Sequence, residues 1–446
     1  MLLEVDTVKG FQDFLPPESL KRRAVKKIIE KYFTLYGFLP AETPIIEFDE
    51  LMRPEILPGE EEDEAVSDRF RLKDRASRNL GLRYEFTFQL ARIFKLNPNI
   101  KLPFKRYQIG EVFRDEPVGQ GRFRQFTQCD VDIVGNPLID SDAEILAVVS
   151  DILKELKINF EIEVNNRKLL NSIVESIQII DKKKVIKELD KLSKIGEDEV
   201  KMNLKKYADT NQILTLFKLL EKDIQFFKEN AFEGAEELIQ LSEKCKAYGI
   251  KIKFNPFLAR GLNYYTGNIF EVKETSKNSI AGGGRYNKLV GKYSDKEIPA
   301  VGISFGLERV TELAKVEIET TKAVLISLEK DTETLKLARQ LRKKDISCEV
   351  MFGKPGKALE FANSMQIPYV IFIGEEEIKK KKLKLKNMKT GEEKLLSEIQ
   401  IIKALSKYSQ GHHKVLEFVR GLWETENKTK SRNLFSVLIF LQFVVD

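Results

Sequence analysis

A chain of 446 residues with 42% hydrophobic content can bury two or three cores of ordinary size, which excludes a small scaffold held together by disulfides. Its three cysteines, Cys129, Cys245 and Cys348, are odd in number and far apart. They therefore predict a reducing compartment, the cytoplasm, and exclude a zinc site of the Cys-x-x-Cys type. The formal charge of +6 is too small on so long a chain to identify a polyanionic partner.

The first part of the chain predicts one helix and one short strand. No secretory signal is expected, because acidic residues and a proline pair stand where an apolar segment would lie. Helical spacing of apolar residues predicts a helix from Ser19 to Tyr36 that is ended by Gly37. The segment FLPAETPIIEF, residues 38–48, then predicts a strand that is entered through a bend.

Three segments between residues 79 and 135 alternate polar and apolar side chains, which is typical of antiparallel strands with one packed face. The segments are LRYEFTFQ, RYQIGEVFR and RFRQFTQCDVDIVG. Their polar faces carry, in turn, Arg83, Glu85, Thr87 and Gln89; Arg106, Gln108 and Arg114; and Arg122, Arg124, Gln128, Asp130 and Asp132. Any antiparallel sheet with one wet face alternates in this way. The preference for Arg, Gln and Asp over Lys, Ser and Thr nevertheless favours a face that binds a ligand.

The segment FRDEPVGQGRF, residues 113–123, predicts a hairpin loop between two of these strands, because one proline and two glycines interrupt it. Arg114 and Glu116 stand at the entrance of the loop and Arg122 at its exit. A guanidinium suits a phosphate and a carboxylate suits an exocyclic amine, so this loop could bind a nucleotide.

Residues from about 165 to 246 change to Lys- and Glu-rich amphipathic patterns, which predict a helical insertion. Strand patterns resume at 251–272 and 279–290, and at 299–313, where Arg309 stands at a predicted helix start. The glycine triplet 282–284 is open to two interpretations, a tight turn or a close approach of the backbone to a ligand. It matches neither a P-loop nor a dinucleotide-binding motif.

From Thr321 to about Leu405 apolar strands alternate with helical patterns, which predicts a mostly parallel α/β domain and a boundary at residue 320. The run KKKKLKLK, residues 379–386, either follows phosphates or belongs to a solvated loop.

The tail from residue 406 to 446 has no predicted structure. Its apolar run, Leu434 to Val445, is shorter than the ~20 residues that span a bilayer, so we interpret it as a buried or partner-covered segment and expect no membrane association. The adjacent His412 and His413 lack a third ligand at a recognisable spacing, and no metal site is predicted.

Several of these segments resemble known motifs. FRDEPVGQGRFRQFTQCDVDIVG resembles motif 2 of the class II aminoacyl-tRNA synthetases, GISFGLERV resembles motif 3, and ETPIIEF resembles motif 1. LARGLNYYTGNIFEV and AGGGRYNKLV are similar to the two signature segments of histidyl-tRNA synthetases. The resemblance runs from about residue 10 to 405 and implies an α+β fold. A class II catalytic domain with an antiparallel sheet, residues 1–320, would contain the helical insertion and precede a C-terminal α/β anticodon-binding domain, residues 321–405.

The resemblance implies that the chain activates histidine with ATP and Mg²⁺ to histidyl-adenylate, and then transfers the histidyl group to the 3′ end of tRNA(His). Motif 1 also implies a homodimer. Cations must flank the α-phosphate when the anionic carboxylate of histidine approaches it. The resemblance assigns this catalytic role to Arg114 and Arg260, the latter in a place filled by a metal in related synthetases. It puts Glu116 at the adenine, Arg309 at the γ-phosphate and Arg122 near the phosphates.

For histidine, the resemblance implies that Tyr264 and Tyr265 line the imidazole pocket and that Arg260 also contacts the substrate. It assigns the α-amino group and the orientation of the substrate to Glu85, Thr87, Gln128 and Asp132. Many relatives have aspartate at the position of Asn263, a change that removes a charge beside Arg260.

Two other functions are compatible with parts of the sequence. A non-catalytic regulatory paralogue, such as the regulatory subunit of ATP phosphoribosyltransferase, would bind histidine without activating it, but such relatives tend to lack the signature arginine or the anticodon domain. A nucleic-acid-binding module would explain the lysine run but not Arg114, Glu116, Arg260 and Arg309 together. The synthetase is therefore favoured.

Overall fold

The computed structural model describes residues 5–52, 68–119, 121–261, 264–275, 278–294, 296–318 and 320–407. The chain divides into two compact units, residues 1–318 and 319–446, and each is described by itself. The apolar run of the tail, both histidines and Asn263 lie outside the described residues.

Two sheets organise the first unit. Its strands are β1 (Leu39–Pro40), β2 (Ile46–Phe48), β3 (Arg71–Lys73), β4 (Asn79–Leu82), β5 (Phe104–Phe113), β6 (Gln125–Val134), β7 (Phe160–Asn166), β8 (Lys253–Phe254), β9 (Asn268–Glu274), β10 (Ser279–Arg285) and β11 (Ala300–Gly306). The larger sheet has the order β1-β5-β6-β11-β10-β9-β7-β8, and the smaller has the order β2-β4-β3. Neighbouring strands of the larger sheet are antiparallel except at its two edges, where β1 pairs with β5 and β7 with β8 in parallel.

Helices cover one face of this sheet and fill the segment between β7 and β8. They are α1 (Glu18–Leu35), a 3-10 helix (Asp49–Met52), α2 (Phe88–Leu96), α3 (Asp140–Glu155), α4 (Arg167–Ser176), α5 (Lys182–Leu189), α6 (Leu192–Ile195), α7 (Glu197–Leu204), α8 (Thr210–Leu220), α9 (Ile224–Glu229), α10 (Ala235–Ala247) and α11 (Leu307–Leu313). Helix α1 buries Val25, Ile29 and Phe33 at the four-residue spacing of one helix face. It ends before Gly37, whose φ of 76° is the left-handed conformation expected of a helix C-terminus.

The hairpin of β5 and β6 is confirmed. The two strands pair from Phe104 opposite Val134 to Phe113 opposite Gln125, and the loop between them carries the predicted turn. Strand alternation therefore holds Gln128, Asp130 and Asp132 on one face of the central sheet.

The strand predicted over LRYEFTFQ is wrong beyond Leu82. Strand β4 ends there, and helix α2 begins at Phe88. Every residue from 83 to 91 is buried, so the alternation does not separate a wet face from a packed one. Arg83 forms hydrogen bonds with the backbone instead. Its Nε donates to the carbonyl of Glu111 at 2.6 Å and its Nη1 to that of Thr43 at 2.7 Å.

The second unit is a mixed α/β layer. Its elements are β12 (Ala323–Ser327), α12 (Asp331–Arg342), β13 (Cys348–Phe352), α13 (Pro355–Ser364), β14 (Tyr369–Ile373), α14 (Glu375–Lys379), β15 (Leu383–Asn387), β16 (Glu393–Leu396) and α15 (Glu398–Lys407). The sheet order is β13-β12-β14-β15-β16, with the first three strands parallel as predicted and the last two antiparallel. Across the described segments of the chain, no helix has both the length and the apolar character that a membrane span requires.

Candidate active site

Two adjoining compartments form a cleft on the open face of the larger sheet. The first is lined by Glu85, Thr87, Gln128, Asp132, Arg260, Tyr264 and Tyr265, and the second by Glu116 and Arg122. Arg114 and Arg309 line both. The structure thus brings together every residue to which the family resemblance assigned a role in the site.

Buried carboxylates lie at the base of the first compartment. Glu85, Asp130 and Asp132 are each 3% exposed. The Asp132 charge has a partner, because its Oδ2 lies 2.8 Å from Arg106 Nη2, and its Oδ1 accepts a hydrogen bond from the hydroxyl of Tyr286. Glu85 accepts a 3.3 Å hydrogen bond from Tyr264 to its Oε2, but its Oε1 has no donor among the described residues. This end of the compartment can therefore bind a cationic group that donates hydrogen bonds.

Arg260 supplies positive charge to the same compartment. Its Nη1 lies 3.2 Å from Glu271 Oε1, and Glu271 is held in turn by Lys273 at 3.1 Å. The guanidinium lies against Gly282 of β10, where a Cβ atom would come within 2.2 Å of Nη2. The interpretation of the glycine triplet as a tight turn is wrong, since the triplet lies inside a strand. The missing side chain makes room for Arg260.

Arg114 is fixed by aromatic rings at the junction of the two compartments. Its Cζ lies 4.4 Å from the ring centre of Tyr84 and 5.1 Å from that of Phe126. Its Nε donates to the carbonyl of Tyr84 at 3.4 Å. Stacking of this kind orients a guanidinium group but does not neutralise its charge, so the guanidinium of Arg114 can still bind an anion.

The second compartment is flanked by the hairpin loop and by the first turn of α11. Glu116 accepts a 3.0 Å hydrogen bond from the Tyr84 hydroxyl, and Arg122 is exposed at the loop exit. Arg309 donates to the carbonyl of Ser279. Three arginines and the Glu116 carboxylate around this cavity can bind an anionic ligand that also carries an amine.

Tyrosines close the first compartment on the side of the glycine triplet. Tyr264 and Tyr265 are buried with ring centres 4.7 Å apart, and Tyr286 packs edge-on against Tyr264 at 5.7 Å. Rings with polar tips can pack against a planar aromatic ligand and also exchange hydrogen bonds with it.

Sequence reasoning missed several residues of the cleft and misplaced others. Asp130, Tyr286, Ser304 and Glu308 line it but received no role from the sequence. The alternation did place Asp130 on the face expected to bind a ligand, with Gln128 and Asp132, but it gave Asp130 no role of its own. Arg83 and Gln89, which the alternation assigned to a ligand face, lie outside both compartments, and Arg124 binds the loop through the Glu116 carbonyl at 3.2 Å.

Comparisons with known proteins agree with this geometry. The family model described as histidyl-tRNA synthetase matches residues 10–310, and that of an anticodon-binding domain matches residues 322–408. Histidine–tRNA ligase 1 of Bacillus cereus is 40% identical over 433 residues, covering 91% of this chain and all of the relative. Histidine–tRNA ligase of Clostridium tetani is 32% identical over 439 residues, covering 91% and 98%. The crystal structure of histidyl-tRNA synthetase from Nostoc superposes with a TM-score of 0.79 at 27% identity, covering 91% of this chain and 100% of that one.

The antiparallel sheet, the motif 2 hairpin over the cleft and the α/β anticodon-binding unit are those of a class II aminoacyl-tRNA synthetase. The predicted fold class is therefore confirmed. Within that class, the match over residues 10–310 and the relatives that align over nearly their whole length decide the subfamily. The chain belongs to the histidyl-tRNA synthetase family.

Proposed function

We propose that this chain is a histidine–tRNA ligase, which condenses histidine with ATP to histidyl-adenylate and pyrophosphate and then transfers the histidyl group to tRNA(His). One observation carries the proposal. The first compartment has unpaired buried acceptors at its base and Arg260 and Arg114 on its walls, and it opens into a second compartment lined by arginines. An amino acid fits this polarity, with its ammonium at the base and its carboxylate toward the nucleotide.

The chemistry follows from this orientation. The histidine carboxylate oxygen attacks the α-phosphorus of ATP, and the bond to the bridging oxygen breaks to release pyrophosphate. Negative charge accumulates at the α-phosphate, where Arg114 and Arg260 stabilise it from two sides. Mg²⁺ enters as part of the MgATP substrate. In the second step a hydroxyl of the terminal tRNA ribose attacks the activated carbonyl, and AMP leaves.

The second compartment would hold the rest of the nucleotide. Arg309 and Arg122 offer guanidinium groups to the β- and γ-phosphates, and Glu116 offers a carboxylate to the adenine amine. The Glu116 carboxylate is oriented for this role by the hydroxyl of Tyr84, at 3.0 Å.

Selection of histidine would depend on hydrogen bonds to the imidazole. Tyr264, Tyr265 and the Asp132–Tyr286 pair place polar atoms around one end of the first compartment. A side chain without ring nitrogens would form no hydrogen bonds with these groups, a loss that can reach roughly 10⁴-fold in discrimination.

The second unit would bind the anticodon region of tRNA(His), and part of the lysine run would contact its backbone. Lys379 and Lys380 pair with carboxylates of α14, and two lysines of β15 pair with Glu393 at 3.2 and 3.5 Å. The second half of the run, from Leu383 onward, belongs to strand β15 and not to a loop. Lys381 and Lys382 are exposed and form no ion pair with the described residues, so they are the lysines that we assign to the phosphates.

We also propose a cytoplasmic homodimer. Ile45, Ile46 and Phe48 of the motif 1 segment are 44%, 50% and 46% exposed next to one another, as expected of a protein interface. All three cysteines are buried free thiols, as suits a reducing compartment. Light scattering at the mass of one chain would contradict the dimer.

The test of the proposed function is the attachment of labelled histidine to tRNA(His) transcript by the purified chain with MgATP. We expect acid-precipitable label that depends on ATP, on histidine and on the anticodon of the transcript. A protein that binds histidine but charges no tRNA would instead be a regulatory paralogue. One solved structure titled as an ATP phosphoribosyltransferase regulatory subunit/histidyl-tRNA synthetase, from Bacillus halodurans, shares the fold with a TM-score of 0.70 at 19% identity. Fold alone therefore does not separate the two functions.

A further inference from the structure

Asp130 is a buried carboxylate of the first compartment that forms no ion pair with the described residues. It lies on β6 between Gln108 of β5 and Ser304 of β11, and the Ser304 hydroxyl donates a hydrogen bond to it. Two residues further along the strand, Asp132 lies opposite Arg106 and pairs with it. Throughout the described part of the chain, no lysine or arginine comes within ion-pair distance of Asp130.

Glu85 is in the same situation. It is as deeply buried as Asp130, forms no ion pair with a described residue, and has no donor for its Oε1. Gln128 Oε1, in the same compartment, also finds no donor within the described part of the chain. Two buried carboxylates without a cation are unstable in the ionised form, and a third unpaired acceptor adds to the cost. A primary ammonium group offers one positive charge and three N–H donors, which matches this set of acceptors.

We propose that Asp130 is a further substrate-binding residue, which shares the α-ammonium group of histidine with Glu85, and that histidine displaces a proton from these two carboxylates when it binds. The inference rests on the proposed function, because it takes histidine as the ligand. It adds Asp130 to the residues that contact histidine, and it adds the release of a proton to the binding reaction.

The acid–base chemistry of the pair supports this exchange. Burial and the neighbouring Asp130 charge raise the pKa of Glu85 to about 8. Burial and the neighbouring Asp132 charge raise the pKa of Asp130 to about 7. The other charged or titratable groups of the described residues that act on the pair include Asp132, Arg106, Arg114, Tyr84, Cys129, Tyr264, Tyr265 and Tyr286. An ammonium favours both ionised forms, so histidine releases protons near neutral pH, and its affinity rises as the pH rises through this range.

The experiment is isothermal titration calorimetry at pH 7 in two buffers that differ in ionisation enthalpy, with wild type and Asp130→Asn. Three ligands are compared: histidine, histidinol, which keeps the amine but lacks the carboxylate, and imidazolepropionate, which lacks the amine. For wild type we expect release of about one proton with histidine and histidinol. For Asp130→Asn we expect affinity for these two ligands to fall roughly 10- to 100-fold, with less proton release than in wild type and unchanged binding of imidazolepropionate.

The inference is overturned if Asp130→Asn weakens all three ligands equally, because Asp130 would then only support the shape of the pocket. An unchanged proton count in that variant also overturns it. If Asp130→Asn does not fold, Ser304→Ala serves as the second test, since loss of the hydroxyl donor raises the pKa of Asp130 and should increase proton release at pH 7. Unchanged release in Ser304→Ala contradicts the proposal. Wild-type protein that binds no histidine contradicts the proposed function itself.

Discussion

The place of Arg260 can be tested without changing Arg260, through the substitution Gly282→Ala. The new Cβ would lie 2.2 Å from Arg260 Nη2, 2.4 Å from Cζ and 2.7 Å from Nη1. Strand β10 is hydrogen-bonded on both sides, by β9 and β11, so its backbone cannot move aside. The guanidinium, at the end of a flexible side chain, has to move instead.

The size of the effect follows from the distances. Ordinary contact begins at 3.4 Å, so the guanidinium has to retreat by about 1.2 Å from its position against the glycine. Misplacing a catalytic group by about 1 Å can cost roughly 100-fold in rate. We therefore expect Gly282→Ala to lower kcat about 100-fold, which corresponds to about 2.7 kcal/mol in the activation barrier.

The assay is histidine-dependent exchange of labelled pyrophosphate into ATP, with thermal unfolding to show that the variant is folded. Gly119→Ala is the matched control, because nothing lies within 4 Å of a Cβ at that position, and its exchange should equal that of wild type. In an Arg260→Ala background Gly282→Ala should have little further effect, since both changes remove the same interaction. Wild-type exchange by a folded Gly282→Ala variant would refute the reasoning, and so would additive losses in the double variant.

Two further predictions concern stability and tRNA binding. Arg285→Met should lower the free energy of unfolding of the first unit by roughly 3–5 kcal/mol, because it leaves the buried Asp142 carboxylate without its ion pair. Changing both residues to apolar ones should restore much of the lost stability, and urea unfolding measures both effects. Equal stability of single and double variants would contradict this. The double variant Lys381→Gln, Lys382→Gln should bind tRNA more weakly and with a smaller salt dependence, while its pyrophosphate exchange is unchanged. Neutralising the two lysines that pair with Glu393 should lower tRNA affinity less. Equal tRNA affinity of both double variants at several salt concentrations would exclude this assignment.

The parts of the site that could be predicted are those with a strong local signal. In β6, the alternate residues Gln128, Asp130 and Asp132 line the cleft, so strict alternation along the sequence is enough to place Gln128 and Asp132 together. The hairpin loop is marked by its proline and glycines. The assignment of roles to Arg114 and Arg260 needed the family resemblance as well.

The parts that could not be predicted depend on contacts between distant segments. Alternation failed for residues 83–89 because strand β4 ends at Leu82 and helix α2 begins at Phe88, so these side chains do not alternate between two faces of a sheet. The glycine triplet suggested a close approach, but its partner, Arg260, is supplied by a loop more than twenty residues earlier in the chain. The pairing of Asp132 with Arg106, which leaves Asp130 without a cation, depends on the register of the strands.

The most direct test of the central claim is histidine-dependent pyrophosphate exchange, measured for wild type and Arg260→Ala at saturating histidine and MgATP. We expect exchange that requires histidine in wild type and falls by roughly 10²- to 10³-fold in Arg260→Ala, with histidine still bound. Exchange that survives in Arg260→Ala, or histidine binding without any exchange in wild type, would contradict the proposed function.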